Sequence, residues 1–302
     1  MHATYEPFFH TGKTIAEYGE YTVIQCESCG FAHCLPIPEY TDLKSIYQKD
    51  YYTKIKPDYI ERAEKDRAWH EMIHNHRLKV IEGLTPGRNL LEVGSGPGLF
   101  LNCARQRGWQ TLGFEPSKEA WLYSREILHL NVKNEFFGAD DSDALPKFDA
   151  ICLSLVLEHI RDPQEMMNHV KAHLMPGGVV CIVVPNDFND LQTILCAEKE
   201  RHKWWVAPPH HINYFTHASL AGFLQRSGLK VVKQETTFPL ELFLLLGFDY
   251  TADDLLGRKC HDLRMQFEQK LEQLGLGTLQ CDLYDVFLKH GLGRHAVAYA
   301  VL

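Results

Sequence analysis

The sequence predicts an α/β chain built on a doubly wound, mostly parallel sheet. Two observations carry that reading. Strand-like apolar runs alternate with helix-like runs from residue 89 onward, and a repeated strand–helix order folds as a parallel sheet with helices on both faces. The first alternation is joined by a glycine-rich turn in "NLLEVGSGPGLFLNCARQRGW", residues 89–109. With 302 residues the chain is long enough to bury a large core as one domain with a small appendage.

The elements follow in order. Residues 1–57 are rich in Tyr, Pro and Cys and hold short strand-like pieces such as "EYTVIQC". The amphipathic pattern of 58–83 predicts one long helix closed by Gly83. Strand "NLLEV", helix 98–107 and strand "QTLGFE" come next, and a helix starts behind Ser117 as its N-cap. Strand "VKNEFF", strand "FDAICLSLV", helix 163–174, the "MPGG" turn and strand "VVCIVV" complete the regular part. Beyond Pro185, residues 187–205 read as a helix ending in a Trp pair, and "APPHHINYFT" as a loop. Helix 217–227, strand "LKVVKQET", an inserted helical segment and the closing strand "RHAVAYAVL" finish the chain. The expected division is an N-terminal segment over 1–57, a core over 58–237, a helical insertion over 238–290 and a final core strand over 291–302.

Composition narrows the class of partner. Lys and Arg number 31 against 39 Asp and Glu, and the net charge of −8 opposes a nucleic-acid footprint, which needs a basic face. The start "MHATYEPFFHTGKT" lacks the basic and apolar regions of a secretory signal. No run of about 18 apolar residues exists to span a bilayer. Nine scattered cysteines do not form a disulfide framework, and Cys103, Cys152 and Cys181 fall in apolar runs where a reduced, buried thiol is expected. A cytoplasmic chain with no membrane partner is the expectation, its oligomeric state left open.

The glycine turn decides the ligand class. Gly94, Gly96 and Gly98 are spaced G-x-G-x-G, and Leu99 stands where a dinucleotide fingerprint needs its third glycine. No Lys-Ser or Lys-Thr follows, so the turn is not a P-loop. Glu92, just before the turn, would repel a pyrophosphate but suits a cationic sulfonium amino acid. Glu115 ends the next strand, where an acid binds ribose hydroxyls.

On these residues the sequence resembles the class I S-adenosylmethionine-dependent methyltransferases, small-molecule type, over about residues 75–237 and the last strand. "LLEVGSGPGLFL" is similar to the first motif, "GFEPS" to the ribose motif, and "GADDSDALPKFDAICLSLVLEHIRDP" to the run holding the adenine contact and fourth strand. "LMPGGVVCIVVPN" is similar to the turn before the fifth strand. The resemblance implies a Rossmann-like, seven-stranded sheet and a cofactor site formed by Glu92, Gly94, Ser95, Gly96, Gly98, Glu115, Pro116, Ala139, Asp140, Leu155 and His159. It implies methyl transfer to oxygen or carbon of a sugar, polyketide-like or quinone-like metabolite. The rival from another class is a catalytically silent cofactor-binding module in a biosynthetic complex.

Two further constellations carry metal chemistry on paper. "HEMIH", residues 70–74, fits the H-E-x-x-H zinc-protease pattern, with His70 and His74 on one helical face and Glu71 as base. No third ligand is in prospect, so a helix packed beside the first strand, with His74 or His76 near the active-site mouth, is the preferred reading. Cys26-x-x-Cys29 followed by Gly30 has the shape of a zinc knuckle, whose turn favours a glycine of positive φ. His10 and His33 are the nearest candidates to complete four ligands, with Cys34 as a third, and a metal-free degenerate ribbon is the alternative. Many methyltransferases of the type it resembles carry N-terminal zinc ribbons with two such pairs, whereas this chain has one.

Substrate walls are expected from 1–57, from 187–216 with Trp204 and Trp205, and from the 239–290 insertion. The Trp pair and "LELFLLLGF" could equally be core. Glu158 and His159 follow the fourth strand at the cleft edge. In the related deoxysugar C-methylating enzymes a histidine stands four residues before a Phe-Thr helix start. His211 takes that place ahead of Phe215 and Thr216, either as general base or only fastening the loop by hydrogen bonding, and a shift of one residue in register would make His210 the reactive member.

Overall fold

The computed structural model describes residues 10–138, 145–198 and 201–302. Its centre is a seven-stranded sheet. The strands are β4 (Asn89–Val93), β5 (Gln110–Phe114), β6 (Val132–Lys133), β7 (Phe148–Ser154), β8 (Leu174–Pro185), β10 (Lys230–Thr236) and β11 (His295–Val301). They lie side by side in the order β10-β11-β8-β7-β4-β5-β6. Only β11 runs against its neighbours, pairing antiparallel with both β8 and β10. This is the doubly wound, mostly parallel architecture the alternation predicts. Buried on both faces, β7 and β8 read as continuous apolar runs. Cys152 and Cys181 lie opposite one another in that pair, and all nine cysteines are free thiols.

The helices expected over 98–107 and 163–174 are α4 (Leu99–Gln106) and α6 (Pro163–Ala172). Several other elements differ from expectation. The helix expected over 58–83 divides into α2 (Tyr59–Lys65) and α3 (Arg67–Leu84) at Asp66, whose carboxylate is gripped by both terminal nitrogens of Arg258 at 2.7 Å. Ser117 precedes α5 (Lys118–Leu122), but its hydroxyl donates to Glu119 at 3.0 Å instead of capping. The strand expected at "VKNEFF" stops after Lys133, because the Asn134 amide donates to the carbonyls of Glu115 and Pro116. The helix expected over 187–205 is α7 (Asp190–Glu198), and the Trp pair lies beyond it. Thr216 does cap α8 (His217–Arg226), in a reciprocal box with Ser219. Between β10 and β11 stand α9 (Glu241–Leu245), α10 (Asp254–Gln273) and α11 (Gly277–Lys289).

A second, antiparallel sheet takes β1 (Gly12–Tyr18), β2 (Tyr21–Cys26) and β3 (Ala32–Leu35) from the N-terminal segment, and β9 (Asn213–Tyr214) from the His-Pro loop. Its order is β1-β2-β3-β9. Trp205, Val206, Ile212 and Tyr214 bury against this sheet, with Trp204 packed alongside. The Trp pair is therefore core between the sheet and the loop. After β3 the chain passes through α1 (Tyr40–Ser45) into a wider-wound stretch, Ile46–Ile55, that carries three tyrosines. No helix among the described residues is long and apolar enough to cross a membrane.

Candidate functional site

A cavity of about 1600 Å³ runs along the carboxyl edge of the parallel strands. This exceeds the roughly 300–1,000 Å³ usual for one small ligand, and the edge is where open α/β sheets bind. The turn after β4 forms one wall. Gly94, Gly96 and Gly98 have φ of +67°, +52° and +83°, conformations that side chains rarely adopt. A Cβ on Gly94 would meet Val156 at 2.5 Å, and one on Gly98 would meet Leu130 at 2.6 Å. Gly96 faces the tyrosine-bearing stretch, with Tyr52 Oη 3.1 Å from where its Cβ would stand.

Beside the turn, Glu115 is buried and accepts hydrogen bonds from the backbone N–H of Gly96 at 2.7 Å and of Ser117 at 2.8 Å. Burial outweighs both bonds and raises its pKa to about 7. Glu92 is also buried and one carboxylate oxygen has no partner, as does the Ser95 hydroxyl. Its pKa lies well above the usual carboxylate range through burial, with the Arg77 charge opposing. These unmatched polar atoms around a glycine cradle suit a ligand with hydroxyl and ammonium donors.

Of the residues the sequence assigns to cofactor binding, Glu92, Gly94, Ser95, Gly96, Glu115, Pro116, Leu155 and His159 line the cavity. Gly98 does not. It sits behind the turn, where its missing side chain lets the chain approach Leu130 and Ser124. Ala139 and Asp140 fall outside the described residues. Leu155 adopts φ +58°, which turns the chain out of β7 at the cavity wall.

The histidines are arranged differently from expectation. His159 lines the cavity, whereas His210 and His211 are not in its wall. The His211 ring stands edge-on to His159, with centroids 5.0 Å apart, one layer further from the cofactor turn. One nitrogen each of His159 and His211 and an oxygen of Glu158 lie within 4.8 Å of one another. The loop is fixed there because the Ile212 N–H donates to Glu158 O, and the Asn213 amide to Leu157 O and Ile160 O. His159 Nδ1–H donates to His210 O at 2.6 Å, leaving Nε2 unprotonated, 3.8 Å from Glu158. Burial lowers the His159 pKa to about 4 and raises that of Glu158 to about 8.

Other wall residues include the two histidines of the H-E-x-x-H pattern and an arginine that sequence reasoning missed. His70, His74 and Arg77 follow one another at helical spacing on the α3 face that looks into the cavity. The His70 and His74 rings are stacked 5.8 Å apart, while Glu71 lies 4.0 Å from Arg67. The H-E-x-x-H spacing thus marks a cavity-facing stripe, and following it one turn further would have found Arg77. Arg77 is buried, and its closest hydrogen-bond partner is Ser154 Oγ at 3.5 Å. Tyr47, Tyr51, Tyr52 and Tyr59 converge from the opposite side.

At the N-terminal end, ligand atoms of His10, Cys26, Cys29 and His33 all lie within 4.8 Å of one another. His10 Nδ1 is 3.6 Å from Cys26 Sγ and 3.4 Å from Cys29 Sγ. Tetrahedral zinc with S and N ligands separates such atoms by about 3.5 Å. His33 Nδ1–H donates to Cys34 O at 3.1 Å, and its buried Nε2 has no partner. Gly30 turns the knuckle with φ +70°.

Comparison with known proteins bears on the family and the fold. A family model described as a methyltransferase domain matches residues 62–234, more than half of the chain. The ubiquinone biosynthesis O-methyltransferase of Nitrobacter winogradskyi is 28% identical over 176 residues, 56% of this chain and 66% of that protein. Its counterpart in Coxiella burnetii is 29% identical over 133 residues, 42% of this chain and 56% of that protein. The chain thus matches less than two thirds of the length of these curated relatives. A methyltransferase structure from Archaeoglobus fulgidus superposes with a TM-score of 0.52 at 16% identity, covering 81% of this chain and 99% of the other. Magnesium protoporphyrin IX methyltransferase from Synechocystis PCC 6803 does so at 0.51 and 12% identity, covering 87% and 99%. At these identities the two structures bear on the fold alone.

Proposed function

Because the chain belongs to the methyltransferase domain family, we propose that it transfers the methyl group of S-adenosylmethionine to an oxygen of a small metabolite. The observation that carries this is Glu115, a buried carboxylate in the cavity wall, held against the glycine turn by Gly96 N–H with oxygen lone pairs to spare. A ribose diol donating to it would hold the carboxylate ionised. The matched relatives, O-methyltransferases by name, support oxygen as the acceptor atom.

When bound, the cofactor supplies a methyl group made electrophilic by its sulfonium. The protein's part is position and a place for the acceptor's proton. Arg77, a buried cation with a single long hydrogen bond, holds the carboxylate of the methionine moiety, and Glu92 its ammonium. Tyr52, half-buried over the turn, covers it from the side opposite the sheet strands. The acceptor's proton goes to the imidazole pair, with His159 at the cavity wall and His211 behind it. Burial keeps both rings neutral, so each has a lone pair ready. A proton arriving at His159 Nε2 comes within 3.8 Å of Glu158, whose raised pKa of about 8 keeps it protonated near neutral pH until that positive charge favours its ionisation.

His10, Cys26, Cys29 and His33 hold a structural zinc ion in this reading, supported by their mutual distances and the unpartnered Nε2 of His33. Four protein ligands close the site to catalysis. An ion held there would fasten the N-terminal sheet, whose β3 pairs with β9 of the His211 loop.

The test is conversion of S-adenosylmethionine to S-adenosylhomocysteine in the presence of a metabolite extract. The acceptor is then identified by comparing metabolites of deletion and wild-type cells. Tight cofactor binding without turnover on any extract would assign the chain as a silent module, and absence of binding would overturn the cofactor reading.

A further inference from the structure

Beyond Arg77 the cavity continues into a chamber between α3 and α10, over the ends of β8 and β11. Its walls include Trp69 and His70 from α3, Thr237 and His295 from the sheet edge, and Arg264 and Glu268 from α10. Arg264 is the unusual member. It is only 5% exposed, and burial lowers even its pKa. Its guanidinium stacks 4.6 Å from the Trp69 ring and one terminal nitrogen meets His261 Nδ1 at 2.7 Å. Its Nε has no partner, and no carboxylate lies within ion-pair distance among the described residues.

Of the two acids near it, Glu268 offsets part of its charge from beyond ion-pair distance, and both have other partners. Glu268 accepts from the Trp69 indole N–H and from the Tyr284 hydroxyl, one oxygen each. Asp66 is clamped by Arg258. His70 and His295 lie between the two arginines and feel both charges, so the chamber wall runs from Arg77 through neutral imidazoles to Arg264. A guanidinium that lines the chamber while its buried Nε goes unpartnered is completed by an oxyanion, which the fork can grip in bidentate fashion.

We propose that this chamber is the acceptor subsite and that Arg264 binds an oxyanion, carboxylate or phosphate, carried by the methyl acceptor. The proposal rests on the methyltransferase reading and adds the substrate class to it. It also gives the helical insertion a role, since α10 carries the recognising cation to the cavity wall.

The test uses the full-length protein saturated with S-adenosylhomocysteine, so that the cofactor site is filled. Calorimetry and thermal shift compare benzoate and phenyl phosphate with neutral benzamide as probes. At least tenfold tighter binding of one anion over benzamide is expected, and the better anion tells carboxylate from phosphate. Arg264→Met is expected to remove that preference with S-adenosylhomocysteine affinity within twofold of wild type. Arg264→Lys, which keeps the charge and loses the fork, is expected to fall between. Equal binding of anion and amide, or an Arg264→Met protein that still prefers the anion, would overturn the proposal. So would a tenfold loss of S-adenosylhomocysteine affinity in Arg264→Met, which would assign the arginine to the cofactor. If the wild type does not bind S-adenosylhomocysteine, the cofactor reading fails, and the anion–amide comparison on the free protein still decides the chamber.

Discussion

His159 Nδ1–H donates to the backbone oxygen of His210 at 2.6 Å, and that bond sets which nitrogen of the His159 ring carries the proton. The tautomer it fixes leaves Nε2 as the acceptor. The Tyr47 hydroxyl donates to the same oxygen at 3.0 Å, tying the tyrosine-bearing stretch that covers the cofactor turn to the histidine loop. Closure of the site and orientation of the imidazole pair therefore share one carbonyl.

His159→Ala should lower turnover by roughly 10²–10⁴, the range for a positioned base, with the protein still folded. His211→Ala should lower it less, since His211 stands behind the wall. Steady-state kinetics on both variants checks this ordering. A larger loss in His211→Ala would return the base to the loop.

Glu115→Ala should weaken S-adenosylhomocysteine binding by about 1.5–3 kcal/mol, the worth of a hydrogen bond to a charged group. Calorimetry reads it directly. Affinity for wild type should also rise with pH up to about 7, where Glu115 becomes ionised.

Stability should fall between about pH 6.5 and 8. Glu158 titrates near pH 8 in the folded protein, but in the ordinary carboxylate range when unfolded. Through that window the unfolded chain has released a proton that the folded one retains, so rising pH favours unfolding until Glu158 ionises in both states. The buried histidines, lowered to about 4, act below pH 6.5 and with the opposite sign, since acid favours the unfolded chain that can protonate them. Glu158→Gln should flatten the decline between pH 7 and 8 in chemical denaturation. An unchanged slope would remove Glu158 as its source.

Purified protein should contain about one zinc per chain, and Cys29→Ser or a strong chelator should remove it. The melt should drop by several degrees as the N-terminal sheet loosens, since binding of a structural metal is folding free energy. Zinc well below one equivalent by elemental analysis would leave a metal-free knuckle.

Much of the architecture was legible because it is written in local patterns. The alternation of buried strands with amphipathic helices fixes a parallel sheet, and Gly94, Gly96 and Glu115 follow from the spacing of one turn and one strand end. The His10, Cys26, Cys29 and His33 grouping was legible for the same reason: a short hairpin brings near neighbours in sequence together. What the sequence could not decide are relationships between distant segments. Only the tertiary structure puts His159 in front of His211, because Ile212 and Asn213 bond to the 157–160 segment and hold the loop one layer back. Only tertiary structure carries Arg264, far along the chain in a helical insertion, to the cavity that begins at Gly94. Periodicity says which face of a helix is buried. What that face is buried against depends on contacts between segments that no local pattern encodes.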